Sequence, residues 1–266
     1  MNKYNTFLKL GIAGVLEYRM DFLIELLNSL FPIIVQYFVW TAIYLNSTQT
    51  IINGYSYKEL ISYIFIATLM SKAIAPGFEN EIATEIRTGK LNTYLIKPMS
   101  YYLSKIYSTI GKKIIHMAII CPIMLICYYV ILNYWGMPVE PRNILFFMIT
   151  LIVAFLLNCC IFYALSMVTF WTTQSWGIII AFQIVINILS GGVLPLNVIG
   201  TYISNIFRYL PFRYIIEFPV EVLQGNYSIS GVFIGIAIQI VSIGFFIILS
   251  TVLWKKGLKH YDAFGG

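Results

Sequence analysis

Long apolar runs separated by short polar segments dominate the pattern of residues along this chain. A helix needs roughly 20 mostly apolar residues to cross the hydrocarbon core of a bilayer, which is about 30 Å thick. Six windows reach that length, at approximately residues 23–45, 58–76, 114–134, 143–169, 175–195 and 229–254. The pattern therefore predicts an all-α integral membrane protein with six transmembrane helices in a single domain over residues 1–266.

The composition excludes an ordinary soluble domain. The chain is 59% hydrophobic and only 11% charged, with a mean hydropathy of +0.82. A soluble domain carries about 25% charged residues. Because the six windows use most of the chain, no large soluble domain is expected on either side of the membrane.

The basic residues predict the orientation. The net charge is +6, but the basic residues separate apolar runs and form no nucleic-acid-binding face. If the N-terminus is cytoplasmic, 12 of the 17 Lys and Arg residues fall in cytoplasmic segments: Lys3, Lys9, Arg19, Arg87, Lys90, Lys97, Lys105, Lys112, Lys113, Lys255, Lys256 and Lys259. The outer segments hold Lys58, Arg142, Arg208 and Arg213. Both termini are therefore predicted to be cytoplasmic. Lys72, near the cytoplasmic end of the second window, is either an interface anchor or a charge that lines a pathway.

Two cytoplasmic segments are predicted to contain helices that do not cross the membrane. Residues 1–22 place apolar side chains at helical spacing and are interpreted as an interfacial helix. Residues 77–113 are too long for a simple turn between helices. Within them, one apolar face and one polar face predict a short helix that ends at Thr88-Gly89. Its apolar face holds Phe78, Ile82 and Ile86, and its polar residues are Glu79, Glu81, Glu85 and Arg87. The acidic residues either face water or contact a basic partner surface.

The outer segment 196–228 is apolar, but its charges and prolines argue against a further crossing. Two short helices, at about 201–210 and 212–224, are predicted to dip from the outer surface and to break at Pro211. Arg213 and Glu217, four residues apart, are expected to form an exposed pair that contributes about 0.3–0.5 kcal/mol. The segment either caps the outer end of a pathway or is a packing pad in the interface.

Catalytic and metal-binding patterns are not found in the sequence. It has no GxxxxGK[ST] phosphate-binding loop, and its His and Cys residues lack metal-ligand spacing. We therefore expect a chain that is not an enzyme and binds no cofactor or metal. Amide side chains inside the predicted spans either bridge helices or line a passage. These are Asn28, Gln36, Asn158, Gln183 and Asn187.

Three stretches, together with the predicted order of elements, resemble the permease subunits of bacterial ABC-type-two export systems, which have the type V ABC exporter fold. The stretches are EIRTGKLNTYLIKP at 85–98, LPFRYIIEFPVEVLQG at 210–225 and WKKGLKHYDAFGG at 254–266. The resemblance covers essentially the whole chain.

The resemblance implies two permeases, of the same or different chains, and two separate ATPase subunits that bind ATP and Mg. The short cytoplasmic helix would be the coupling helix that contacts the ATPase, through Phe78, Glu79, Glu81, Ile82, Glu85 and Arg87. Gln36, Gln183 and Asn187 would line the pathway between the permeases. Pro211, Phe212, Arg213 and Glu217 would form an outer gate.

The leading hypothesis is therefore the permease subunit of an exporter in the bacterial plasma membrane. Its mostly apolar interior favours an amphipathic or lipophilic substrate, such as a peptide, an antibiotic or a lipid-like molecule. A membrane sensor or structural subunit without transport is the alternative. An ion channel or secondary carrier is disfavoured because the predicted spans contain few charged residues.

Overall fold

The fold is a bundle of long apolar helices, seen in a computed structural model that describes residues 3–17, 19–136, 140–172, 175–200, 206–207 and 210–261. The helices are α1 Lys3–Glu17, α2 Arg19–Asn46, α3 Tyr57–Ile74, α4 Glu79–Arg87, α5 Asn92–Leu95, α6 Tyr101–Tyr134, α7 Pro141–Ser166, α8 Ser175–Leu189, α9 Leu196–Ile199, α10 Glu217–Leu223 and α11 Ile229–Gly257. Two 3₁₀ turns cover Met167–Phe170 and Pro211–Tyr214. The prediction of an all-α membrane protein is confirmed at this level.

Four helical stretches in the described part of the chain are long and apolar enough to cross a membrane. They are Tyr57–Arg87, Tyr101–Tyr134, Pro141–Phe170 and Ile229–Gly257. Two shorter apolar helices, Leu30–Asn46 and Trp176–Leu189, fall in the first and fifth predicted windows. The core lies where α3 and α7 meet α4, α6 and α10, and α11 also packs against α7.

Helix α6 begins well before the predicted third window, which starts at residue 114. It has 34 residues and is therefore about 51 Å long, more than the roughly 30 Å hydrocarbon core requires. Ser100 caps its start by accepting a hydrogen bond from the Leu103 backbone N–H. The additional N-terminal turns carry Lys105 and Lys112 toward α4.

Helix α8, in contrast, ends at Leu189, before the predicted limit of the fifth window at 195. Gly191 has φ +79°, a conformation that favours glycine and turns the chain away from the helix axis. The Ser190 carbonyl then accepts a hydrogen bond from the Glu217 N–H at 2.9 Å. The outer segment thus returns to pack directly against the end of α8.

A two-stranded hairpin, β1 Ile51–Ile52 and β2 Tyr55–Ser56, connects α2 to α3 and was absent from the predicted elements. Its two-residue turn, Asn53-Gly54, has positive φ at both positions, as a type I′ turn requires. Ser56 then starts α3 through a reciprocal capping box with Glu59.

Helix α1 packs along the N-terminal half of α6. The two backbones meet at Gly11 and Gly111, where a Cβ atom would overlap the carbonyl oxygens of Ser108 and Leu8 respectively. The rings of Tyr4 and Tyr107 stack at 5.3 Å between centroids. The α1 part of the predicted interfacial helix therefore lies against the N-terminal extension of α6. Residues 1, 2 and 18 of the predicted range are outside the described residues.

We expect Gly111→Ala to lower the free energy of unfolding by about 1–3 kcal/mol, because the new methyl group forces the two backbones apart. Gly14→Ala is the matched control, since a Cβ at Gly14 meets nothing within 4 Å and alanine has the higher helix propensity. Thermal unfolding in detergent measures both variants. Equal stability of the two variants would contradict close backbone contact between α1 and α6.

Candidate functional site: a cavity between helix α4 and the outer segment

Helix α4 is held in place by its apolar face. Phe78, Ile82 and Ile86 are all buried, which confirms the face predicted from their spacing. They pack against α7, the 3₁₀ turn that follows it and α8. The helix ends at Arg87, and Gly89 has φ +77°, as expected for a helix-terminating glycine.

The basic partner of the acidic residues on α4 lies in the same chain. Lys105 of α6 places its Nζ 2.5 Å from Glu81 Oε1 and 2.8 Å from Glu85 Oε1. The Tyr101 hydroxyl donates a hydrogen bond to Glu85 Oε2. Lys105 and Glu85 are buried, whereas the Glu81 side chain is 46% exposed. Lys105 therefore connects α4 to the N-terminal extension of α6 through a largely desolvated ion pair.

A second polar contact connects α4 to α8. Gln183 donates a hydrogen bond from Nε2 to Glu79 Oε1 at 2.6 Å, and Glu79 is 4% exposed. The first residue of α4 therefore contacts the fifth apolar helix. A displacement of α4 would act directly on α8 through this bond.

Both side chains line a cavity of about 370 Å³ between α3, α7 and α8. Asn187 also lines it and accepts a hydrogen bond from the Ser71 hydroxyl at 3.3 Å. Ser190, Ile215 and Ile216, where the outer segment meets α8, line the same cavity. One cavity is thus bordered by both the start of α4 and the outer segment.

Gln36 lies elsewhere, half-buried on α2, and is not among the residues that line this cavity. Its Oε1 is buried and has no hydrogen-bond partner in the described part of the chain. The structure therefore brings together Gln183 and Asn187 of the three predicted pathway residues, and leaves Gln36 apart.

A buried ion cluster holds the outer segment together. Arg213 Nε lies 3.0 Å from Glu217 Oε2, an ion pair whose angle is poor for a hydrogen bond. Arg213 also donates from Nη2 to Glu221 Oε2 at 2.9 Å, and the Tyr55 hydroxyl donates to Glu221 Oε1 at 2.9 Å. Arg213 and both glutamates are less than a tenth exposed. The prediction of an exposed Arg213–Glu217 pair is therefore wrong, because the returning segment packs against α3 and α7 rather than facing water.

The same cluster fixes the chain where α8 ends. Glu217 Oε1 accepts a hydrogen bond from the Leu196 N–H at 3.1 Å. The Tyr63 hydroxyl donates to the Gly191 carbonyl at 2.8 Å. These bonds satisfy backbone groups that the irregular loop would otherwise leave buried without partners.

The outer segment has a shorter regular structure than predicted. Pro211 and Phe212, both half-buried, begin the Pro211–Tyr214 turn, and α10 follows only from Glu217. Pro211 therefore does start a new helical piece, as expected. Most of the first predicted outer helix, 201–210, lies outside the described residues, as does Arg208.

Burial raises the pKa of Glu217 to about 8, and the neighbouring Glu221 carboxylate adds to this shift, while Arg213 opposes it. The folded protein therefore favours the protonated form of the Glu217 carboxyl. The native state holds this proton where the unfolded chain, with a pKa near 4.5, releases it. The stability that Glu217 contributes is therefore full below about pH 4.5 and is lost as the pH rises to about 8.

We expect wild type to lose stability relative to Glu217→Gln as the pH rises from about 4.5 to about 8, because glutamine cannot release a proton. Thermal unfolding of both proteins at pH 5 to 9 measures the difference. Glu140→Gln, at an exposed outer carboxylate, is the control and should follow the wild-type curve. A constant difference between wild type and Glu217→Gln across this range would contradict a raised pKa.

The six residues predicted to form the coupling helix fall into two groups by their burial. Phe78, Glu79, Ile82 and Glu85 are buried within the chain, while Glu81 and Arg87 are exposed on α4. Four other residues form hydrogen bonds that hold this site together, although the sequence did not predict them as site residues. They are Lys105, Asn158, Glu221 and Tyr55. Glu221 follows Glu217 by four residues, a spacing that could have indicated a shared partner.

The comparison with protein families agrees with this architecture. A family model described as ABC-2 family transporter protein matches residues 30–265, which is most of the chain. The comparison with curated proteins found no match. Members of the matched family are membrane components of transport systems, are not themselves catalytic, and normally work with an ATPase subunit. The long apolar helices and the extent of the match together establish that this chain is a multi-pass membrane protein that belongs to the ABC-2 transporter family.

Proposed function

We propose that the chain is the permease subunit of an ATP-driven exporter in a bacterial plasma membrane. With a second permease, the same or a different chain, it would form the pathway for an amphipathic or lipophilic substrate. The observation that carries this proposal is the cavity lined by both Glu79 and Ile216. Both the proposed coupling helix and the outer segment border this space, so a movement of either one would change it.

The proposed topology has six spans and cytoplasmic termini, in the type V exporter arrangement. The distribution of Lys and Arg supports this orientation. Large apolar side chains on α2 and α8, among them Phe31, Phe38 and Ile184, are exposed and would contact lipid or the second permease. Gln36 of α2 would then line the pathway from the permease interface.

In the proposed coupling step, the exposed side of α4 contacts the ATPase. Glu81, Thr84 and Arg87 are exposed on this side. The buried residues Phe78, Glu79, Ile82 and Glu85 would transmit its movement to α6, α7 and α8. ATP and Mg would bind only to the ATPase subunit.

The outer gate would be the segment that includes Pro211, Phe212, Arg213 and Glu217. Its ion cluster packs it against the end of α8, and its residues Ile215 and Ile216 line the same cavity as Glu79. The cavity walls include apolar side chains of Ile74, Phe162 and Ile184, which suit a greasy substrate.

Purification of the tagged chain from its own cells tests this function. We expect a co-purifying ATPase that carries a GxxxxGK[ST] phosphate-binding loop. In nanodiscs, ATP hydrolysis by the complex should respond to hydrophobic peptides or other amphiphiles. Gln183→Leu, which removes the bond to Glu79, should retain the ATPase but lose this response, whereas Phe182→Leu on the exposed face should retain both. A partner without a phosphate-binding loop would overturn the proposal and favour a sensor.

A further inference from the structure

Two side-chain oxygen atoms of residues that line the cavity are buried and have no hydrogen-bond partner among the described residues. They are Glu79 Oε2 and Asn158 Oδ1, and both residues are at least nine-tenths buried. The other polar atom of each side chain is engaged: Glu79 Oε1 accepts from Gln183, and Asn158 Nδ2 donates to the Ile74 carbonyl at 3.0 Å. Since buried acceptors without partners are unfavourable, the cavity favours a ligand that donates hydrogen bonds.

Lys72 lines the same cavity and makes no hydrogen bond or ion pair through its side chain with a described residue. Among the described residues that line the cavity, Glu79 is therefore the acidic side chain and Lys72 the basic one. A simple cation would be matched by Glu79 but opposed by Lys72. A ligand with an ammonium group and an acidic group matches both charges.

The rest of the cavity suits an apolar chain. Ile74, Phe162, Ile184 and Ile215 form much of its wall. Its volume of about 370 Å³ lies within the range of about 300–1,000 Å³ typical of small-molecule sites. An amphiphile could place its polar head between Glu79 and Lys72 and its apolar part against these side chains.

We propose that this cavity binds the head of a zwitterionic amphiphile that carries a primary ammonium and an anionic group, as in an aminophospholipid. The ammonium donates hydrogen bonds to Glu79 Oε2 and Asn158 Oδ1, and the anionic group pairs with Lys72. This inference rests on the proposed export function and specifies the chemical class of its substrate. Because the two acceptors need N–H donors, a quaternary ammonium of the same charge binds less tightly.

The test uses the full chain in detergent micelles, without an ATPase, and three lysophospholipids of identical acyl chain. Lysophosphatidylethanolamine has three N–H donors, lysophosphatidylcholine has the same net charge without them, and lysophosphatidylglycerol lacks the ammonium. Apparent affinities come from the shift in unfolding temperature with lipid concentration. We expect lysophosphatidylethanolamine to bind at least about tenfold more tightly than the other two, since charge-assisted hydrogen bonds are lost with each. Phosphoethanolamine, which has no acyl chain, should bind weakly.

Variants identify the atoms responsible. Glu79→Gln retains the side-chain size and the contact with Gln183 but removes the charge, and Asn158→Leu removes the second acceptor. Each should reduce the preference for lysophosphatidylethanolamine over lysophosphatidylcholine. Lys72→Met should weaken binding of both zwitterions. Glu140→Gln, an exposed outer carboxylate, is the control and should retain the wild-type preference.

Equal affinity for lysophosphatidylethanolamine and lysophosphatidylcholine would overturn this inference, as would an unchanged preference in both Glu79→Gln and Asn158→Leu. If phosphoethanolamine, which has no acyl chain, bound more tightly than lysophosphatidylethanolamine, the proposed role of the apolar walls would be overturned. Because no ATPase is present, these failures are separate from failure of the exporter proposal, which co-purification decides.

Discussion

Replacing Lys105 with Met is expected to lower the free energy of unfolding by about 3 kcal/mol or more. The change removes the cation from a buried pair and leaves the Glu85 carboxylate desolvated, which typically costs about 3–5 kcal/mol. Methionine has a similar length and retains the apolar contacts of the lysine stem. Since Lys105 connects α4 to α6, the proposed ATP-dependent transport should be lost with the stability. Thermal and denaturant unfolding in detergent measure the first effect.

Lys112→Met is the matched control, because the Lys112 side chain is 45% exposed and its Nζ lies 3.9 Å from Glu81 Oε2. Exposed pairs of this kind contribute at most about 1 kcal/mol. The double variant Lys105→Met/Glu85→Gln should recover part of the lost stability, since it removes both charges. If Lys105→Met and Lys112→Met have the same small effect, Lys105 does not hold α4 in place.

Replacing Arg213 with Met should cost about 3–5 kcal/mol, because it leaves Glu217 and Glu221 buried without their shared cation. The spacing alone had suggested an exposed pair and a negligible effect on folding. Because the pair is buried, we instead expect the substitution of Arg213 to lower the stability of the folded protein. We expect a lower yield of this variant in the membrane and a lower unfolding temperature, whatever its effect on the proposed export.

Arg142→Met serves as the control for Arg213, since it also breaks an outer Arg–Glu pair. Arg142 and Glu140 lie 2.7 Å apart, but both side chains are more than half exposed. This variant should change the free energy of unfolding by less than about 1 kcal/mol. Wild-type stability of Arg213→Met would contradict a structural role for the ion cluster.

Local features of the fold could be predicted from sequence because their causes are local. The spacing of Phe78, Ile82 and Ile86 determines which face of α4 is buried, and Gly89 determines where the helix can end. The hairpin turn at Asn53-Gly54 has an equally local signal, but its strands are only two residues long each. Such short strands leave almost no alternating pattern to detect.

The contacts that build the candidate site could not be predicted in this way, because they join distant parts of the chain. Glu79 and Gln183 are separated by 104 residues, and Tyr55 and Glu221 by 166. The sequence also gives the i,i+4 spacing of Arg213 and Glu217 without indicating whether that face meets water or protein. Only the return of the outer segment against α3 and α7 decides this.

Contact between the exposed side of α4 and an ATPase tests the central claim most directly. A photo-crosslinking residue, p-benzoylphenylalanine, is placed at Thr84, which is exposed on α4, or at Tyr134, which is 84% exposed at the far end of α6. If the proposed function is right, illumination of cells should crosslink position 84 to a protein with a GxxxxGK[ST] loop. Position 134 should not be crosslinked to that protein. Crosslinking of such an ATPase from position 134 instead, or from neither position, would contradict the assignment of α4 as the coupling helix.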